Sequence, residues 1–358
     1  MSDDRIDLNP NEPLDEQPDD GLGDEFEDSA LEDDDGGVYD EQRLAIGIDL
    51  GGTNIQAGVV NEQGEVLGRA KIRTEADKGF EKVLDRVAAA AREACEDAGV
   101  KMSMIHTAGI GVPGPIDPEK GIVVEAVNLR WNNAPVVLGL SDRIGVPVYA
   151  DNDVNIAVYG EWRAGIGRNR PNLLGVWVGT GVGGGLIINS QPHRGAHNSA
   201  GEMGHMIIHP GAHLGSRSVE HNCSRTAIVH ELVKLIKANR HSMLPSLVDG
   251  KMHKIKSKVL ALAYEQGDDL VCTVINDSAD LLGMAIANIV TLLSLDMVIL
   301  GGGLVEAIGK PYVDIVRDAV RREAFPESLR KIRVEASVLE DDAGIVGAGL
   351  MALEEHWK

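Results

Sequence analysis

The sequence predicts an α/β protein made of two α/β halves, and three observations lead to this prediction. The chain has 358 residues, which suits about two domains at roughly 150 residues each. It holds 42 glycines, 43% hydrophobic residues and only 3% aromatic residues, a composition typical of α/β proteins with many tight turns. Two segments, beginning at Leu44 and at Leu173, each read as a strand, a glycine turn and a second strand.

The elements of the first half follow in chain order. Residues 44–48 and 55–60 are β-rich runs around a Gly-Gly pair, which indicates a hairpin, and residues 65–74 read as a third strand. Apolar residues recur at helical spacing from Phe80 to Ala91 and predict an amphipathic helix on a sheet.

Two further strands complete this half. The stretch "HTAGIGVPGPID", 106–117, reads as a strand that ends in a Pro-Gly-Pro turn. The stretch "VPVYADNDVNIAVYGEWRAG", 146–165, reads as a strand that runs directly into a helix.

In the second half, "LLGVWVGTGVGGGLIIN", 173–189, repeats the strand, glycine turn and strand of the opening. The stretch 281–300 is long enough to span a membrane, but Asn288, Thr291 and Asp296 interrupt it. It therefore predicts a buried helix, then Asp296, then a buried strand that ends at a third glycine turn. The final stretch, 341–355, reads as a helix of small and apolar residues.

The formal net charge of −22 is concentrated at the start of the chain. Residues 1–43 hold 18 Asp and Glu against only Arg5 and Arg43, which predicts an acidic disordered tail. The tail lacks the positive and apolar regions of a secretory signal, and its charge repels nucleic acid. The three cysteines are widely spaced and imply no disulfide framework. We therefore expect a cytoplasmic protein without nucleic-acid or membrane partners.

The first glycine turn has the features of a phosphate cradle. Gly51 and Gly52 lack side chains, so backbone N–H groups can closely approach an anion there. Thr53 and Asn54 add polar side chains at the same tip. Asp49 stands just before the turn, where an acid serves Mg²⁺ beside phosphates rather than the phosphates themselves.

The other two glycine turns strengthen the prediction of nucleotide binding. The turn 179–185 offers a second cradle, with Thr180 as a hydroxyl donor beside Gly181. The third turn contains Gly302 and Gly303, against which a flat base could lie. None of these turns is a Walker loop or a dinucleotide-binding fingerprint.

Two polar clusters leave alternatives open. In "DND", Asp151 and Asp153 either cap the following helix or supply a carboxylate to a cleft. The His-rich stretch "GEMGHMIIHPGAHLGSRSVEHNC", 201–223, reads as a zinc site, a substrate site or a surface loop.

Six segments in this order resemble the ROK family of sugar kinases and repressors: "IGIDLGGTNIQAGVV", "GIGVPGPID", "ADNDVNIAVYGE", "GTGVGGGLIIN", "AGEMGHM" and "VILGGG". The resemblance spans residue 44 to the C-terminus. It implies the actin/hexokinase-like ATPase fold, with two lobes and a cleft between them. The expected small lobe is 44–155 with the helix 342–358 returning to it, and the expected larger lobe is 156–341.

The resemblance also implies the reaction, which is ATP-dependent phosphorylation of a hexose hydroxyl, with glucose to glucose 6-phosphate as the first expectation. Asp153 matches the family's general base and Asn152 a residue that holds the sugar. Asp151 then serves as a supporting or capping acid. The expected substrates are the sugar and ATP with Mg²⁺, which Asp49 would hold through water, and the expected assembly is a homodimer.

By the same resemblance, Glu202 and His205 bind the sugar. Glu220 matches the glutamate that closes the family's cysteine-rich segment, and Asn132 matches a further sugar contact. The alternative for all four residues is that they are ordinary surface polar groups.

The sequence departs from the family in one segment. Many members carry a run of three cysteines that binds zinc together with the histidine matching His205, whereas this chain reads "AHLGSRSVE" there. The soft ligands that zinc prefers are gone, so we expect no zinc. His209, His213, His221 and Cys223 could rebuild a site together with His205, but their spacing matches no zinc-binding pattern.

Three rival functions remain at this point. The same fold could phosphorylate fructose, mannose, N-acetylglucosamine or N-acetylmannosamine instead of glucose. A sugar-sensing repressor would need a basic helix-turn-helix before residue 44, and the acidic tail supplies none. A sugar-binding sensor without catalysis would explain the altered zinc segment but not the retained Asp49 and Asp153.

Overall fold

The computed structural model describes residues 43–357, so the predicted acidic tail lies outside the described residues. The first α/β part contains eight strands and two helices. In chain order they are β1 (Leu44–Leu50), β2 (Asn54–Asn61), β3 (Val66–Arg73), α1 (Phe80–Asp97), β4 (Ile105–Val112), β5 (Ile116–Asp117), β6 (Ile122–Ala126), β7 (Trp131–Ala134), α2 (Val136–Ile144) and β8 (Val148–Asn152).

The second part begins with the helix that follows β8 directly. Its elements, with the final helix, are α3 (Asp153–Arg163), β9 (Leu173–Val178), β10 (Val182–Ile188), β11 (Gln191–Pro192), α4 (Val219–Cys223), α5 (Arg225–Lys237), α6 (Leu244–Leu247), α7 (Ser257–Glu265), α8 (Asp269–Leu293), β12 (Met297–Gly301), α9 (Gly303–Ile308), α10 (Lys310–Glu323), β13 (Arg333–Ala336) and α11 (Ala343–His356).

The first sheet has the strand order β3-β2-β1-β4-β8. β1 and β2 form the predicted antiparallel hairpin, whereas β4 runs parallel to both β1 and β8. Apart from Asp49, β1 is apolar and buried on both faces, which a central strand needs when helices cover the sheet from two sides. β5, β6 and β7 form a separate three-stranded ribbon.

The second sheet has the strand order β11-β10-β9-β12-β13. β9 and β10 form the second predicted hairpin, and β12 runs parallel to β9 and β13. The two sheets therefore share one plan, a glycine-tipped hairpin next to parallel strands. The structure confirms the predicted α/β fold class at this level.

The long apolar stretch folds as the sequence predicts. α8 ends at Leu293 and β12 begins at Met297, so Asp296 falls between a helix and a strand. Among residues 43–357, α8 alone has the length and apolar composition to cross a membrane. Of its most apolar window, 56% is buried inside the protein, as in a core helix.

α11 packs directly on the first sheet because glycines let the two backbones meet. A Cβ atom at Gly47 in β1 would lie 1.8 Å from the carbonyl oxygen of Ile345, and one at Gly109 in β4 would lie 2.0 Å from that of Ala348. Gly347 meets α3 in the same way, 1.9 Å from the oxygen of Ile156. These contacts fix α3 and α11 against each other beside the sheet.

Glu161 in α3 holds the segment that leads from β13 to α11. Its carboxylate is fully buried and accepts hydrogen bonds from Ser337 Oγ (2.5 Å), Val338 N (2.9 Å) and Leu339 N (2.8 Å). Its other oxygen accepts from Ile166 N at 3.0 Å. A buried carboxylate needs such hydrogen-bond donors. Here the hydrogen bonds join α3 to the segment between β13 and α11. The predicted lobe boundary after residue 155 falls inside α3 and stays a prediction.

We expect Gly47→Ala to destabilise the protein by about 1–3 kcal/mol or more, because the added methyl group meets backbone that cannot rotate away. Urea denaturation measures the loss in free energy of unfolding. Gly215→Ala is the matched control, since nothing lies within 4 Å of its Cβ position, and we expect a change within about 0.5 kcal/mol. Equal stability of the two variants would contradict this description of the α11 contact.

Candidate active site

Two acids from different elements meet at the carboxyl end of β1. Asp49 pairs in register with Gly111 of β4, and a Cβ atom at Gly111 would lie 3.3 Å from Cα of Asp153. Asp153 is the first residue of α3. Asp49 also contacts Gly344 in the first turn of α11. The structure thus brings together the predicted metal-binding acid and the predicted base.

Burial raises the pKa of Asp49 to about 7, with further contributions from the charges of Asp153 and Asp341. Lys71 opposes this rise. Within residues 43–357, the Asp49 carboxylate accepts no hydrogen bond that would stabilise its charge. It is therefore an acid whose ionised form gains from a nearby cation.

Asp153 has a different environment. Burial raises its pKa, a hydrogen bond from Val154 N to its Oδ1 (2.9 Å) lowers it, and the charge of Glu202 raises it. The net shift is upward. The effect of Glu202 shows that the His-rich stretch contributes an acid near Asp153.

Asn152 caps α3, a role that the sequence reading had offered to Asp151 and Asp153. Its Oδ1 accepts from Val154 N (2.9 Å) and Asn155 N (3.2 Å), and its Nδ2 donates to Gly114 O (3.3 Å). The N-cap is therefore Asn152 and not Asp151 or Asp153, which corrects the capping alternative, although Asp153 Oδ1 shares the N–H of Val154. Asn152 can offer a ligand only its remaining amide hydrogen.

Asp151 is a supporting acid held by several donors. Its Oδ1 accepts from Asn152 N (2.7 Å) and Asn155 Nδ2 (3.2 Å), and its Oδ2 accepts from Arg194 Nε at 2.6 Å. Sequence reasoning missed both Asn155 and Arg194. The only available signal for Asn155 was its place one turn after Asp151 on a predicted helix.

The segment with Glu202 and His205 packs against the start of β10. A Cβ atom at Gly204 would lie 2.1 Å from the carbonyl oxygen of Val182, so only glycine fits there. Glu202 and His205 are both exposed, with 4.0 Å between Glu202 Oε2 and His205 Nε2. Both side chains are therefore available to a ligand.

Glu220 lies beneath the second glycine turn. Its Oε2 accepts from Val182 N at 3.0 Å, and a Cβ atom at Gly181 would lie 2.2 Å from that same oxygen. Glu220 also lies next to the segment with Glu202, because a Cβ atom added to Gly204 would lie 3.5 Å from Cβ of Glu220. Glu220 therefore contacts both the second turn and that segment.

Asn132 lies in the ribbon, on β7, and is exposed. Its Oδ1 accepts from Asn133 Nδ2 at 2.7 Å. The ribbon approaches the acid site at Gly114. A Cβ atom added to Gly114 would lie 2.1 Å from the carbonyl oxygen of Glu125, and Glu125 pairs with Asn132 in the ribbon. Asn132 has no direct contact with Asp153 in the described residues.

Hydrogen bonds hold the first glycine turn in place but leave some of its backbone N–H groups without an acceptor in the described residues. Gly51 N donates to Asn54 O (3.0 Å), and Thr74 contacts the turn through its backbone N to Thr53 O (2.9 Å) and through its hydroxyl to Gly51 O (2.6 Å). In the described part of the chain, the N–H groups of Gly52 and Thr53 have no acceptor. Free amides on a rigid exposed tip suit an anionic ligand.

The second turn carries a cation that the sequence reading missed. Arg225 Nη2 donates to Thr180 Oγ1 at 2.8 Å, and Thr226 Oγ1 donates to Thr180 O at 2.7 Å. The Thr180 hydroxyl accepts from Arg225 and so keeps its own hydrogen for a ligand. The sequence offered no signal for this contact, because Arg225 and Thr180 lie 45 positions apart.

The third turn lies beside the second. Gly302 has φ of 89°, and a Cβ atom on it would lie 2.8 Å from both N and O of Val178, the residue before the second turn. A cavity of about 300 Å³ opens near the ends of β12 and β13, but neither Gly302 nor Gly303 lines it. The predicted place for a flat base against these glycines stays a prediction.

The loop that replaces the cysteine-rich segment is held by hydrogen bonds. Ile208 N donates to Arg217 O (2.9 Å), Val219 N donates to Met206 O (3.0 Å), and Asn222 Nδ2 donates to Ser216 O (3.1 Å). Among residues 43–357, no group of three or more His, Cys, Asp or Glu is arranged to hold a metal ion. The absence of zinc stays a prediction.

The fold and the site define the class of protein. The features of the actin/hexokinase-like ATPases are two α/β parts of matching plan, each with a glycine-tipped hairpin, and a half-buried acid pair beside α3. The ROK family profile matches residues 45–355, and the chain belongs to the ROK family.

Individual relatives agree with this assignment. The chain is 33% identical over 314 residues to the glucokinase of Thermotoga maritima, covering 86% of this chain and 97% of that protein. It is 28% identical over 319 residues to the N-acetyl-D-glucosamine kinase of Haemophilus influenzae, covering 86% and 98%. The crystal structure of a ROK family glucokinase from Streptomyces griseus in complex with glucose and AMPPNP matches with a TM-score of 0.78 and 32% identity, covering 87% and 99%.

We expect Asn152→Ala to lower the free energy of unfolding by about 0.5–2 kcal/mol, because α3 loses its N-cap. Asn152→Ser, which keeps a capping oxygen, should lose less. Asn132→Ala is the control, since Asn132 contacts only the neighbouring Asn133 through its side chain. Urea denaturation of the three variants checks this, and an Asn152→Ala protein as stable as Asn132→Ala would contradict the cap.

Proposed function

We propose that this protein transfers the γ-phosphoryl group of ATP to a hydroxyl of a hexose, with glucose as the substrate and glucose 6-phosphate as the product. The observation that carries the proposal is the pair of half-buried acids Asp49 and Asp153, which meet beside Gly111 at the carboxyl end of β1. The relatives support it, because the chain covers nearly the whole length of glucokinases, one of which holds glucose and AMPPNP.

The role proposed for Asp153 is that of general base. Its carboxylate takes the proton from the sugar hydroxyl while that oxygen forms a bond to the γ-phosphorus and the bond to ADP breaks. Such transfers need alignment and charge neutralisation more than covalent help from the protein. A carboxylate whose pKa is raised by burial is a stronger base than an exposed one, which suits the role.

The proposed sugar contacts are Asn132, Asn152, Glu202, His205 and Glu220. Exposed Glu202 and His205 can share protons with ring hydroxyls. Asn152 can donate only one amide hydrogen, and Glu220 has one carboxylate oxygen occupied by Val182 N. These constraints support a site in which carboxylates accept and Asn152 donates.

The proposed phosphate contacts are the two hairpin turns. Gly51, Gly52, Thr53 and Asn54 form one cradle, and Thr180 and Gly181 form the other, with Arg225 adding positive charge. Gly302 and Gly303 remain the proposed support for the base of ATP.

Mg²⁺ fits the site because Asp49 is a half-buried oxygen donor without a hydrogen-bonded partner in the described residues. We propose that Asp49 would hold the ion through water. When bound, Mg²⁺ supplies positive charge that offsets the charge on the phosphates.

We propose further that the protein is a cytoplasmic homodimer without nucleic-acid or membrane partners, as the sequence predicts. Light scattering on the purified protein is the direct measurement of its assembly.

We expect wild-type protein with Mg²⁺ and ATP to release ADP in the presence of glucose. Fructose, mannose, N-acetylglucosamine and N-acetylmannosamine complete the panel and identify a different sugar if one is preferred. Asp153→Asn should lose about 10²–10⁴-fold in kcat because the hydroxyl proton has no acceptor. Asp280→Asn, on the surface of α8, is the control and should keep full activity.

Two results would contradict this proposal. Binding of a sugar without any turnover would assign the protein to sugar sensing, and undiminished kcat in Asp153→Asn would remove Asp153 from the base role.

The pH profile gives an independent test of the same base. Because the base works deprotonated, kcat falls as the pH drops through the pKa of Asp153, which burial and Glu202 raise. Glu202→Gln removes one negative charge, so the pKa falls and the acidic limb of the kcat profile moves to lower pH. The profile is measured at saturating sugar and ATP, with Glu231→Gln on α5 as the control. An unmoved limb would exclude Glu202 from the surroundings of the base.

A further inference from the structure

Arg194 lies in the loop between β11 and the segment with Glu202 and His205. Its Nε donates to Asp151 Oδ2 at 2.6 Å, and both side chains are mostly buried, at 31% and 11% exposure. Its backbone oxygen accepts from Ala200 N at 3.0 Å, two residues before Glu202. One residue therefore contacts both the approach to Glu202 and the end of β8.

Asp151 carries this contact to the start of α3. Its other oxygen accepts from Asn152 N (2.7 Å) and from Asn155 Nδ2 (3.2 Å). Asn152 in turn caps the first turn of α3, where Asp153 stands. Only two side chains, those of Asp151 and Asn152, separate Arg194 from the turn that orients the base.

Charge gives a second reason for an arginine at this position. Several carboxylates lie in one region, those of Asp49, Asp151, Asp153 and Glu202. Among these four side chains, that of Asp151 is the most buried, and it forms an ion pair with Arg194. Removing that partner would leave an uncompensated buried charge one residue from Asn152. The cap and the orientation of Asp153 would then shift.

We infer that Arg194 is a positioning residue that couples the sugar-binding segment with Glu202 and His205 to the alignment of Asp153, acting through Asp151. The inference rests on the proposed function and goes beyond it. It assigns to Arg194 no contact with substrate. A sugar that orders the segment with Glu202 thereby also fixes the base, because Arg194 holds both.

Steady-state kinetics of Arg194→Ala, Arg194→Lys, Asp151→Asn and the double variant test this inference. Misplacement of a catalytic group by about 1 Å costs on the order of 10²-fold, so we expect kcat of Arg194→Ala to fall by about that factor. KM for ATP should stay within about 2-fold, since the phosphate turns are untouched, and KM for the sugar should rise. Arg194→Lys keeps the charge without the Nε donor and should fall between Arg194→Ala and wild type.

The double variant and chemical rescue separate positioning from general loss of structure. Asp151→Asn removes the charge that Arg194 balances, so the double variant should lose less activity than the product of the two single losses. Guanidinium chloride at about 20 mM, well below the molar concentrations that unfold proteins, should restore part of kcat in Arg194→Ala but none in Asp151→Asn. Arg143→Ala is the matched control, because the side chain of Arg143 on α2 is also mostly buried, at 22% exposure, and forms ion pairs of its own with Glu81 and Asp85.

The outcomes are distinguishable. Unchanged kcat in Arg194→Ala, with wild type active, overturns the inference alone. Multiplicative losses in the double variant, or equal losses in kcat and in the affinity for ATP, also overturn it, since they indicate independent or purely structural effects. Wild-type protein that turns over no sugar overturns the proposed function and this inference with it. If Arg194→Ala does not fold, Arg194→Lys decides, and a kcat equal to wild type overturns the coupling.

Discussion

The structure depends on how carboxylates are kept close together at the start of α3. Asp151 has a guanidinium and two N–H donors, Asp153 has one backbone N–H, and Asp49 has no hydrogen-bonded partner in the described residues. Three chemically alike carboxylates therefore have different hydrogen-bond partners, and burial raises the pKa of both Asp49 and Asp153. The proposed roles follow from these environments: Asp151 supports the site, Asp153 acts as the base, and Asp49 meets a cation.

The same helix sets the geometry between the two sheets. Glu161 holds the segment that enters α11, while glycines bring α11 against β1, β4 and α3. The first cradle belongs to one sheet and Thr180 to the other. A change in the angle at α3 and α11 therefore alters the spacing of the two turns.

The loop without cysteines shows how a site can keep its position by other means. Backbone hydrogen bonds between Met206 and Val219 and the side chain of Asn222 hold the loop. Gly204 fixes the preceding segment on β10, and Ser218 caps α4, which carries Glu220. Hydrogen bonding and close packing thus supply anchors for Glu202, His205 and Glu220 that do not depend on thiolate ligands.

The sequence by itself determined the α/β class, the two hairpins, the break at Asp296 and the ROK family, because apolar periodicity, glycine turns and ordered motifs are local features. It also named Asp49, which stands just before the first glycine turn, and, through the resemblance to the ROK family, Asp153. Only the tertiary structure decided that Asn152 is the cap, that Arg225 stands at the second turn and that Arg194 holds Asp151. The cap depends on which of three adjacent polar side chains turns onto the start of α3. The other two roles depend on residues 40 or more positions apart meeting in space, as Arg194 and Asp151 or Arg225 and Thr180 do. No spacing in a single chain encodes such a meeting, because it arises from how the two sheets pack against α3.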